Sequence, residues 1–525
     1  MGRSVFFRQR IQQEAGSVAA KTFFDYMVSY VRERREISTD EAELLASDVM
    51  KYLQGYVGMG SLGQIEFPAV VHDTEAYIRR ARSQQKESLV RLTVLADDDA
   101  EVLGEYGTRA MVMGRIARVI EEAYYQGCVL DIQRLLVLFP SSVQGIRNRW
   151  LDLVRQGARL PLAGTTRQTR EHFRYLRGAL AVERYLQGEE LKKIRESLCI
   201  SQRQWQEWWN GFRQAQRYES AEEAALEMGY PQVLIEEWRE VWEKNSDDTC
   251  VKLGQEISWP WQSSKVFQSR EGFMKLLEER HGYSPAAADV FEQELREISK
   301  GFDSCSRSSG QIVYIGVSSR QGAGKSLKES KLQPVVLDLV DREDWANMDP
   351  KSPGKLRWER VCRIVTQAYH QGAALTLPDI GYIVSLSSDS VRKVIDQHPD
   401  VVLPTRGRVA DMGSTLSHAT KIIDLFMWNY TETEIKQRTG HSYESIERYL
   451  IDFSKVAILK EEGLSQPEVR KVCDLSRRVV EKYFDLHDKY NTRDYEFAMA
   501  KIRRFAMAHP PKRNRERGDR KDEGG

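Results

Sequence analysis

The feature that most constrains the fold of this chain is a long internal repeat. Residues 21–245 are echoed by residues 265–491, at a displacement of about 245 positions. The clearest match is between Arg118–Gly127 and Arg363–Gly372, where an arginine, an Ala-Tyr pair and a closing Gln-Gly coincide. A duplication of this length predicts two copies of one fold. Chemistry essential to that fold should therefore be visible in both copies.

The repeat also predicts the domain boundaries. We expect an N-terminal extension (1–20), a first copy (21–245), a linker (246–264), a second copy (265–491), a terminal helix (492–508) and a basic tail (509–525). The tail lacks apolar residues and is rich in arginine and lysine, so we expect it to be disordered. It is either a solvated tail or a flexible arm that grasps phosphates.

Hydrophobic periodicity predicts a mainly helical fold with small β elements. Each copy opens with amphipathic helical segments. Two short β-rich runs follow, at 63–71 and 89–95 in the first copy and at 310–317 and 332–340 in the second. The remainder of each copy has the pattern of short helices separated by tight turns. The predicted architecture is two tandem copies of a multi-helix, helix-turn-helix domain, each with a short β-hairpin.

Composition excludes several classes of protein. The chain is 41% hydrophobic and 30% charged, and it has no apolar run long enough to cross a bilayer and no signal peptide. We therefore expect a cytoplasmic protein with no membrane partner. A net charge of +1 excludes a histone-like protein that coats polyanions through bulk positive charge.

Neither a metal nor a cofactor is expected. The six cysteines are far apart, form no Cys-x-x-Cys and do not match between the copies, which argues against disulfides and zinc. The nine histidines show no ligand spacing. His172 and His418 occupy matching positions, which favours a structural role. The segment Arg320–Ser326 ends like a P-loop, but Ser319 stands where the first glycine belongs and a strand follows it, so we expect a β-hairpin loop.

The strongest motif is a helix-turn-helix at 430–450. Thr431 and Glu434 have the spacing of a capping box, Gly440 suits the turn, and Ser442 can cap the second helix. Apolar side chains would lock the second helix onto the first. The outward residues, predicted to contact DNA, are His441, Tyr443, Glu444, Ser445 and Arg448.

Two more units in the second copy repeat this pattern. At 464–483, Ser465 and Glu468 have the capping-box spacing and Ser476 can cap the second helix. The predicted contacts there are Ser476, Arg477, Arg478 and Lys482, with Glu481 also outward. The third unit, at 377–394, has as its outward set Ser387, Ser388, Asp389, Ser390, Arg392 and Lys393, of which Ser388, Ser390, Arg392 and Lys393 are predicted contacts.

The first copy carries weaker versions of the motif. The unit at 132–150 offers Gln144, Arg147, Asn148 and Arg149, and the unit at 189–212 offers Gln202, Arg203, Gln204 and Gln206. All of these except Asn148 and Gln206 are predicted DNA contacts. A last unit at 221–238 is poor in cations, and we expect no DNA contact from it. Trp205, Trp208 and Trp209 align with inward positions of the second copy and are predicted to be core.

These side chains are of the types that bind DNA. Arginine, lysine, glutamine, asparagine and serine bond to phosphates and base edges, with arginine favouring guanine. A single unit of this kind is also compatible with a helical hairpin used only for packing. A series of about six favours double-stranded DNA as the partner.

A family resemblance points the same way. The segments 310–314, 325–329, 334–337, 440–442 and 475–478 resemble an uncharacterised bacterial and archaeal family, domain of unknown function 1670. The resemblance implies a helix-turn-helix protein and brings no catalytic residues.

The sequence therefore predicts a non-enzymatic, sequence-specific DNA-binding protein, a transcriptional regulator whose duplication resembles a dimer within one chain. Two alternatives stay open. One is a DNA transposition or recombination protein that binds element ends, with a dispersed metal-dependent carboxylate site. The other is a helical scaffold that packs against protein partners.

Overall fold

In a computed structural model, the described residues are 2–56, 62–72, 86–163, 174–245, 269–302, 307–321, 326–399, 401–409, 415–439, 443–473, 475 and 477–509. The chain forms two compact units, called unit 1 (1–321 and 325–405) and unit 2 (322–324 and 406–525). The boundary between the units lies inside the second copy of the repeat. Unit 1 thus holds the whole first copy and the front part of the second.

The predicted fold class is confirmed, because the described chain is mainly helical with two small three-stranded sheets. The first copy and the segment before it contribute α1 (Gly2–Ala19), α2 (Phe23–Arg35), α3 (Thr39–Tyr56), β1 (Gln64–Val71), β2 (Glu87–Thr93), α4 (Asp99–Tyr125), β3 (Cys128–Val129), α5 (Ile132–Leu138), α6 (Val143–Arg155), α7 (Arg177–Leu186), α8 (Leu191–Leu198), α9 (Gln202–Ala215), α10 (Ala221–Met228) and α11 (Gln232–Lys244).

The second copy continues unit 1 and then forms unit 2. Its elements in unit 1 are α12 (Arg270–His281), α13 (Pro285–Phe302), β4 (Gln311–Ser318), β5 (Leu332–Asp338), α14 (Arg342–Asn347), α15 (Gly354–His370), β6 (Ala373–Ala374), α16 (Leu377–Ile383) and α17 (Ser388–Asp396). Unit 2 contains α18 (Arg406–Val409), α19 (Thr415–Met427), α20 (Glu432–Thr439), α21 (Tyr443–Glu461), α22 (Gln466–Cys473), α23 (Arg477–Tyr490) and α24 (Glu496–Ala508).

Both predicted β-hairpins are confirmed. Strands β1 and β2 pair antiparallel, as do β4 and β5, with Ile65 opposite Leu92 and Ile312 opposite Leu337. Strands β3 and β6 add a short third strand to each sheet, which the sequence did not predict. The P-loop-like segment connects β4 to β5, so the predicted hairpin loop is confirmed by its flanking strands. Residues 322–325 within it lie outside the described part.

A buried carboxylate with two arginines anchors each copy. Asp99 accepts hydrogen bonds from Arg115 Nε (2.7 Å) and from both terminal nitrogens of Arg118 (2.8 and 2.9 Å). These two guanidinium groups hold the pKa of Asp99 at about 2 although burial alone would raise it. The second copy repeats the arrangement with Asp344, Arg360 and Arg363.

One arginine of each anchor also donates hydrogen bonds to the backbone of the other copy. Arg115, from the first copy, donates to the backbone oxygen of Tyr382 at the end of α16 (2.6 Å). Arg360, from the second copy, donates to the backbone oxygens of Val137 and Leu138 at the end of α5 (2.7 and 3.1 Å). Each contact is the image of the other, as in a two-fold symmetric dimer. The front halves of the repeat therefore form an intramolecular dimer inside unit 1.

The strongest sequence match has a structural cause. The side-chain amide of Gln126 pairs with both backbone groups of Arg91 on β2 (2.9 and 2.8 Å), and that of Gln371 pairs with both of Val336 on β5 (2.9 and 2.7 Å). Each glutamine thus satisfies backbone groups at the edge of a sheet. This contact explains why the glutamine is present in both copies. The glycine after it, Gly127 or Gly372, has a left-handed backbone conformation that favours glycine.

Helix α1 lies before the repeat and packs against α4 and α16. After it, Lys21 forms a fully buried ion pair with Asp379, which also accepts a hydrogen bond from the Tyr314 hydroxyl (2.7 Å). The ammonium group of Lys21 keeps the pKa of Asp379 below its ordinary value despite complete burial.

Unit 2 has its own hydrophobic core. Helix α21 packs against α19, α22, α23 and α24 and is the central helix of this unit. No described helix in either unit is both long enough and apolar enough to cross a membrane. The four described cysteines, Cys128, Cys199, Cys362 and Cys473, are free thiols, as the sequence indicated.

Candidate nucleic-acid interface

Two helices of unit 2, α20 and α21, occupy the helical segments of the strongest predicted helix-turn-helix, and residues 440–442 between them lie outside the described part. Thr431 donates to Glu434 Oε2 through its backbone N–H and its hydroxyl (both 2.8 Å), which confirms the predicted capping box. Ile435 and Ile446 are fully buried and join the two helices, as predicted. The hairpin is therefore locked in the manner that the motif requires.

The first turns of α21 present a mixed aromatic and cationic surface. Tyr443 is 43% exposed, and Arg448 is exposed one turn later. The sequence did not single out Lys436, whose Nζ lies 4.2 Å from the centre of the Tyr443 ring. Arg438 is stacked in the same way on Tyr430, at 4.4 Å. Cation–π contacts of this kind hold the two charges of α20 in place while leaving them at the surface.

Several predicted contacts of this hairpin cannot be placed. His441 lies outside the described residues, and so do the side chains of Glu444 and Ser445.

Helices α22 and α23 form the second hairpin of unit 2. Ser465 donates to Glu468 Oε2 through its backbone N–H (2.8 Å) and its hydroxyl (2.6 Å), which confirms the predicted cap. Val469 and Val480 are fully buried between the helices. Both helices of this pair pack directly on α21, so the two helix pairs of unit 2 share one core.

Arg477 opens α23 with its side chain 81% exposed, and its Nε donates to Glu481 Oε1 one turn later (2.8 Å). Lys482 is half-buried. Ser476 and the side chain of Arg478 lie outside the described residues. The arrangement leaves Arg477 at the surface with only an exposed partner, which a phosphate or a base could replace.

The third predicted unit, α16 and α17, belongs to unit 1 and is less open. Arg392 and Lys393 are exposed, as predicted. Ser388 is only 8% exposed, so the outward position predicted for it is wrong. The first turn of α17 faces the rest of unit 1, where Asp389 pairs with Arg10 of α1. Ser390 is half-buried, and its backbone N–H donates to the Ser387 hydroxyl that caps the helix (3.2 Å).

Helices α5 and α6 form the first of the weaker units. Gln144 and Arg147 are exposed, and the Gln144 amide donates to the Asn148 side-chain oxygen (2.6 Å). Arg149 is half-buried and donates to the Ser141 hydroxyl (3.1 Å).

In the next unit, α8 and α9, the chain itself covers the start of the second helix. Glu101 of α4 accepts a hydrogen bond from the backbone N–H of Gln202 (2.7 Å), and Asp98 accepts one from the buried Ser201 hydroxyl. Gln202 and Gln204 are half-buried, while Arg203 is exposed.

The aromatic residues of α9 are core, as predicted. Trp205 is buried, and Trp208 and Trp209 are half-buried against the core of unit 1. Helices α10 and α11 form the cation-poor hairpin.

Within the described part of the chain, no group of three or more histidine, cysteine, aspartate or glutamate residues could hold a metal ion. His172 lies outside the described residues, and so does the side chain of His418.

A family model described as "Protein of unknown function (DUF1670)" matches two regions of the chain, residues 37–241 and 283–486. Together they span more than half of the chain, and each region falls within one copy of the repeat. The family resemblance and the tandem organisation indicated by the sequence are thereby confirmed. No curated protein and no solved structure matches the chain.

Proposed function

The chain belongs to this family of proteins of unknown function and carries two copies of its domain, and from this premise we propose that it binds double-stranded DNA sequence-specifically. Unit 2 is the part that reads the DNA, and the protein acts as a cytoplasmic transcriptional regulator. No catalytic residue is assigned.

One observation carries the proposal. Two consecutive helix pairs in unit 2 share a core and expose an arginine within the first turns of each second helix, Arg448 on α21 and Arg477 on α23. Second helices of this motif enter the major groove with their early residues toward the bases. An arginine there can bond to guanine O6 and N7 at once, which gives sequence choice.

The first helix of the leading hairpin supports the same arrangement. In this motif the first helix crosses the DNA backbone. Lys436 and Arg438 lie on α20, and each is stacked on a tyrosine. Their role is to bind phosphates, which sets the register of the hairpin on the duplex without specifying sequence.

The test is selection of fragments bound by the full-length chain from random duplex DNA, followed by affinity measurements on the selected sequence. Arg448→Ala and Arg477→Ala should each weaken binding by about 5–150-fold, or about 1–3 kcal/mol, and relax the preference at one position. Lys436→Ala should weaken binding to all sequences alike and lower the salt slope by about 1.

Matched controls come from unit 1. Arg147→Ala and Arg203→Ala remove exposed arginines from equivalent second helices, α6 and α9, and should leave the selected sequence unchanged. Equal effects of all four arginine substitutions would contradict the assignment to unit 2. Metal-dependent strand cutting would instead favour the transposition alternative, and the absence of salt-sensitive binding would favour the protein scaffold.

A further inference from the structure

The seam between the two copies in unit 1 brings arginines together at the turn before α6. Arg357 of α15, from the second copy, donates from Nε to the backbone oxygen of Pro140 (2.9 Å). Arg149 of α6, from the first copy, donates from Nη1 to the adjacent Ser141 hydroxyl (3.1 Å). Two guanidinium groups from different copies are therefore fixed on neighbouring residues of one turn.

These two arginines differ from the anchoring arginines of the same unit. Arg115 and Arg360, which are fully buried, are each paired with an aspartate. Arg149 and Arg357 are half-buried, but the partners described for them are neutral oxygens. Arg149 Nε is buried without a hydrogen-bond partner among the described residues, and so are Arg115 Nη2 and Arg360 Nε, so the two kinds of arginine differ in the charge of their partners and not in this respect.

A third arginine adds to the positive charge. Arg109 of α4 is 68% exposed, and its described carboxylate partner, Asp152, also pairs with Arg155. Burial, together with repulsion from Arg109 and Arg357, lowers the pKa of Arg149 from its ordinary value. Repulsion between like charges disfavours the charged form of each group, and an anion bound among them would relieve it.

The cluster also breaks the symmetry of the repeat. The anchoring aspartate and its two arginines recur in both copies, as a structural requirement of the fold would. At the positions equivalent to Arg109, Arg149 and Arg357 the other copy has Gly354, Val394 and Val112. The intramolecular dimer forms at the opposite seam without any of these charges. The repeat therefore does not require these charges at both seams.

We propose that Arg109, Arg149 and Arg357, with the Ser141 hydroxyl, form a binding site for a phosphate group. Planar guanidinium groups match the oxygen geometry of a phosphate and bind it by paired hydrogen bonds. The phosphate comes either from a DNA backbone or from a free phosphate or small phosphate ester. The site stands on contacts within unit 1 and does not depend on DNA reading by unit 2.

The experiment compares the thermal midpoint of the full chain in sodium phosphate and in sodium chloride at equal ionic strength. Phosphate stabilises folded proteins in general, so the informative quantity is the difference between variants. Arg149→Gln and Arg109→Gln should each remove at least half of the extra stabilisation by phosphate. Arg174→Gln is the matched control, because Arg174 is 62% exposed and pairs with Glu240 elsewhere in unit 1, and it should retain the full effect.

A second arm identifies the source of the phosphate. If it is a DNA backbone, Arg109→Gln should also make the dependence of log K on log salt shallower by about 0.9, the slope that one neutralised phosphate contributes. An unchanged slope together with loss of phosphate stabilisation would assign the site to a small phosphate compound. Equal phosphate stabilisation in all variants would overturn the site. The phosphate arm is decisive even if the chain binds no DNA, so the two proposals fail separately.

Discussion

Helices α9 of unit 1 and α21 of unit 2 are equivalent second helices of the repeat, but their surroundings differ. The start of α9 is capped by the chain itself, since Glu101 binds its first backbone N–H and Asp98 binds the capping Ser201. The start of α21 exposes Tyr443 and Arg448. A helix start attracts anions, but the start of α9 already holds two carboxylates, which repel a further anion.

The difference shows that the helix-turn-helix pattern does not by itself define a DNA-reading surface. Both hairpins have an apolar lock between their helices. The second helix of the unit 1 hairpin, α9, packs against α7, α10 and α11 of the same copy. The hairpins of unit 2 keep the geometry and expose cations. The proposed DNA contact therefore depends on the charges that face the first turns of the second helix.

The largest effect should come from the anchoring aspartates of unit 1. Asp344→Ala removes the carboxylate that neutralises the fully buried Arg360, and we expect a loss of about 3–5 kcal/mol in the free energy of unfolding. Denaturant unfolding followed by hydrogen exchange should place this loss in unit 1 and leave the amides of unit 2 unchanged. Equal loss of protection in α21 would contradict the division into two units.

A control for this substitution is Glu207→Ala, which breaks the exposed pair with Arg203 and should cost less than about 0.5 kcal/mol.

Local patterns predicted the elements, but not the long-range pairing. The capping boxes of Thr431 and Ser465 and the two β-hairpins follow from short-range spacing, and the structure confirms them. The role of Asp99 was not predictable, because it depends on arginines that approach through the fold. The match of Arg118 with Arg363 was visible, but not the carboxylate that each arginine binds.

For the candidate interface, the sequence predicted the exposure of some residues correctly and of others incorrectly. Exposure of Arg448 and Arg477 follows from helical periodicity. Burial of Ser388 was not predicted, because the motif places it among the outward residues at the start of α17. DNA contact itself stays a prediction for every residue named. The boundary between the units at residue 405 could not be predicted from the repeat either, because the two copies match in sequence on both sides of it.

The second largest effect should be a pH dependence of the stability of unit 1 that differs from that of unit 2. Glu237 in unit 1 is 7% exposed, and burial raises its pKa to about 7 against the pull of Arg159. The unfolded chain releases this proton near pH ~4.3, so between about 4.3 and 7 the folded state binds more protons. The folding free energy of unit 1 should therefore weaken by about 3–4 kcal/mol as pH rises through this window.

The measurement is the free energy of unfolding as a function of pH for the wild type and Glu237→Gln. The free energy of unfolding of Glu237→Gln should increase relative to that of the wild type as pH rises. A decrease with pH would instead show that the ion pair with Arg159 lowers the pKa of Glu237 more than burial raises it. In unit 2, Arg503 lowers the pKa of Glu461, so this group stabilises above pH 4.5 and loses its contribution as pH falls.

Removing a helix-capping serine should lower the free energy of unfolding by less, and by different amounts in the two units. Ser201→Ala removes a buried cap that also binds Asp98, and should cost about 2 kcal/mol. Ser465→Ala removes an exposed cap in unit 2 and should cost about 1 kcal/mol. Urea unfolding of the two variants tests the order. A larger cost for Ser465 would mean that the start of α9 is not held by the rest of unit 1.

The smallest stability effect should accompany a large effect on binding. Arg477 and Glu481 form an exposed pair one helical turn apart, worth about 0.3–0.5 kcal/mol. Arg477→Ala and Glu481→Ala should therefore lower stability equally and slightly. On DNA they should diverge, because the first removes a groove contact and the second removes a negative charge beside it. If Arg477→Ala binds DNA more weakly while Glu481→Ala binds as well as the wild type or more tightly, Arg477 contacts DNA directly. Equal losses of DNA affinity in both variants would show that the pair only stabilises α23.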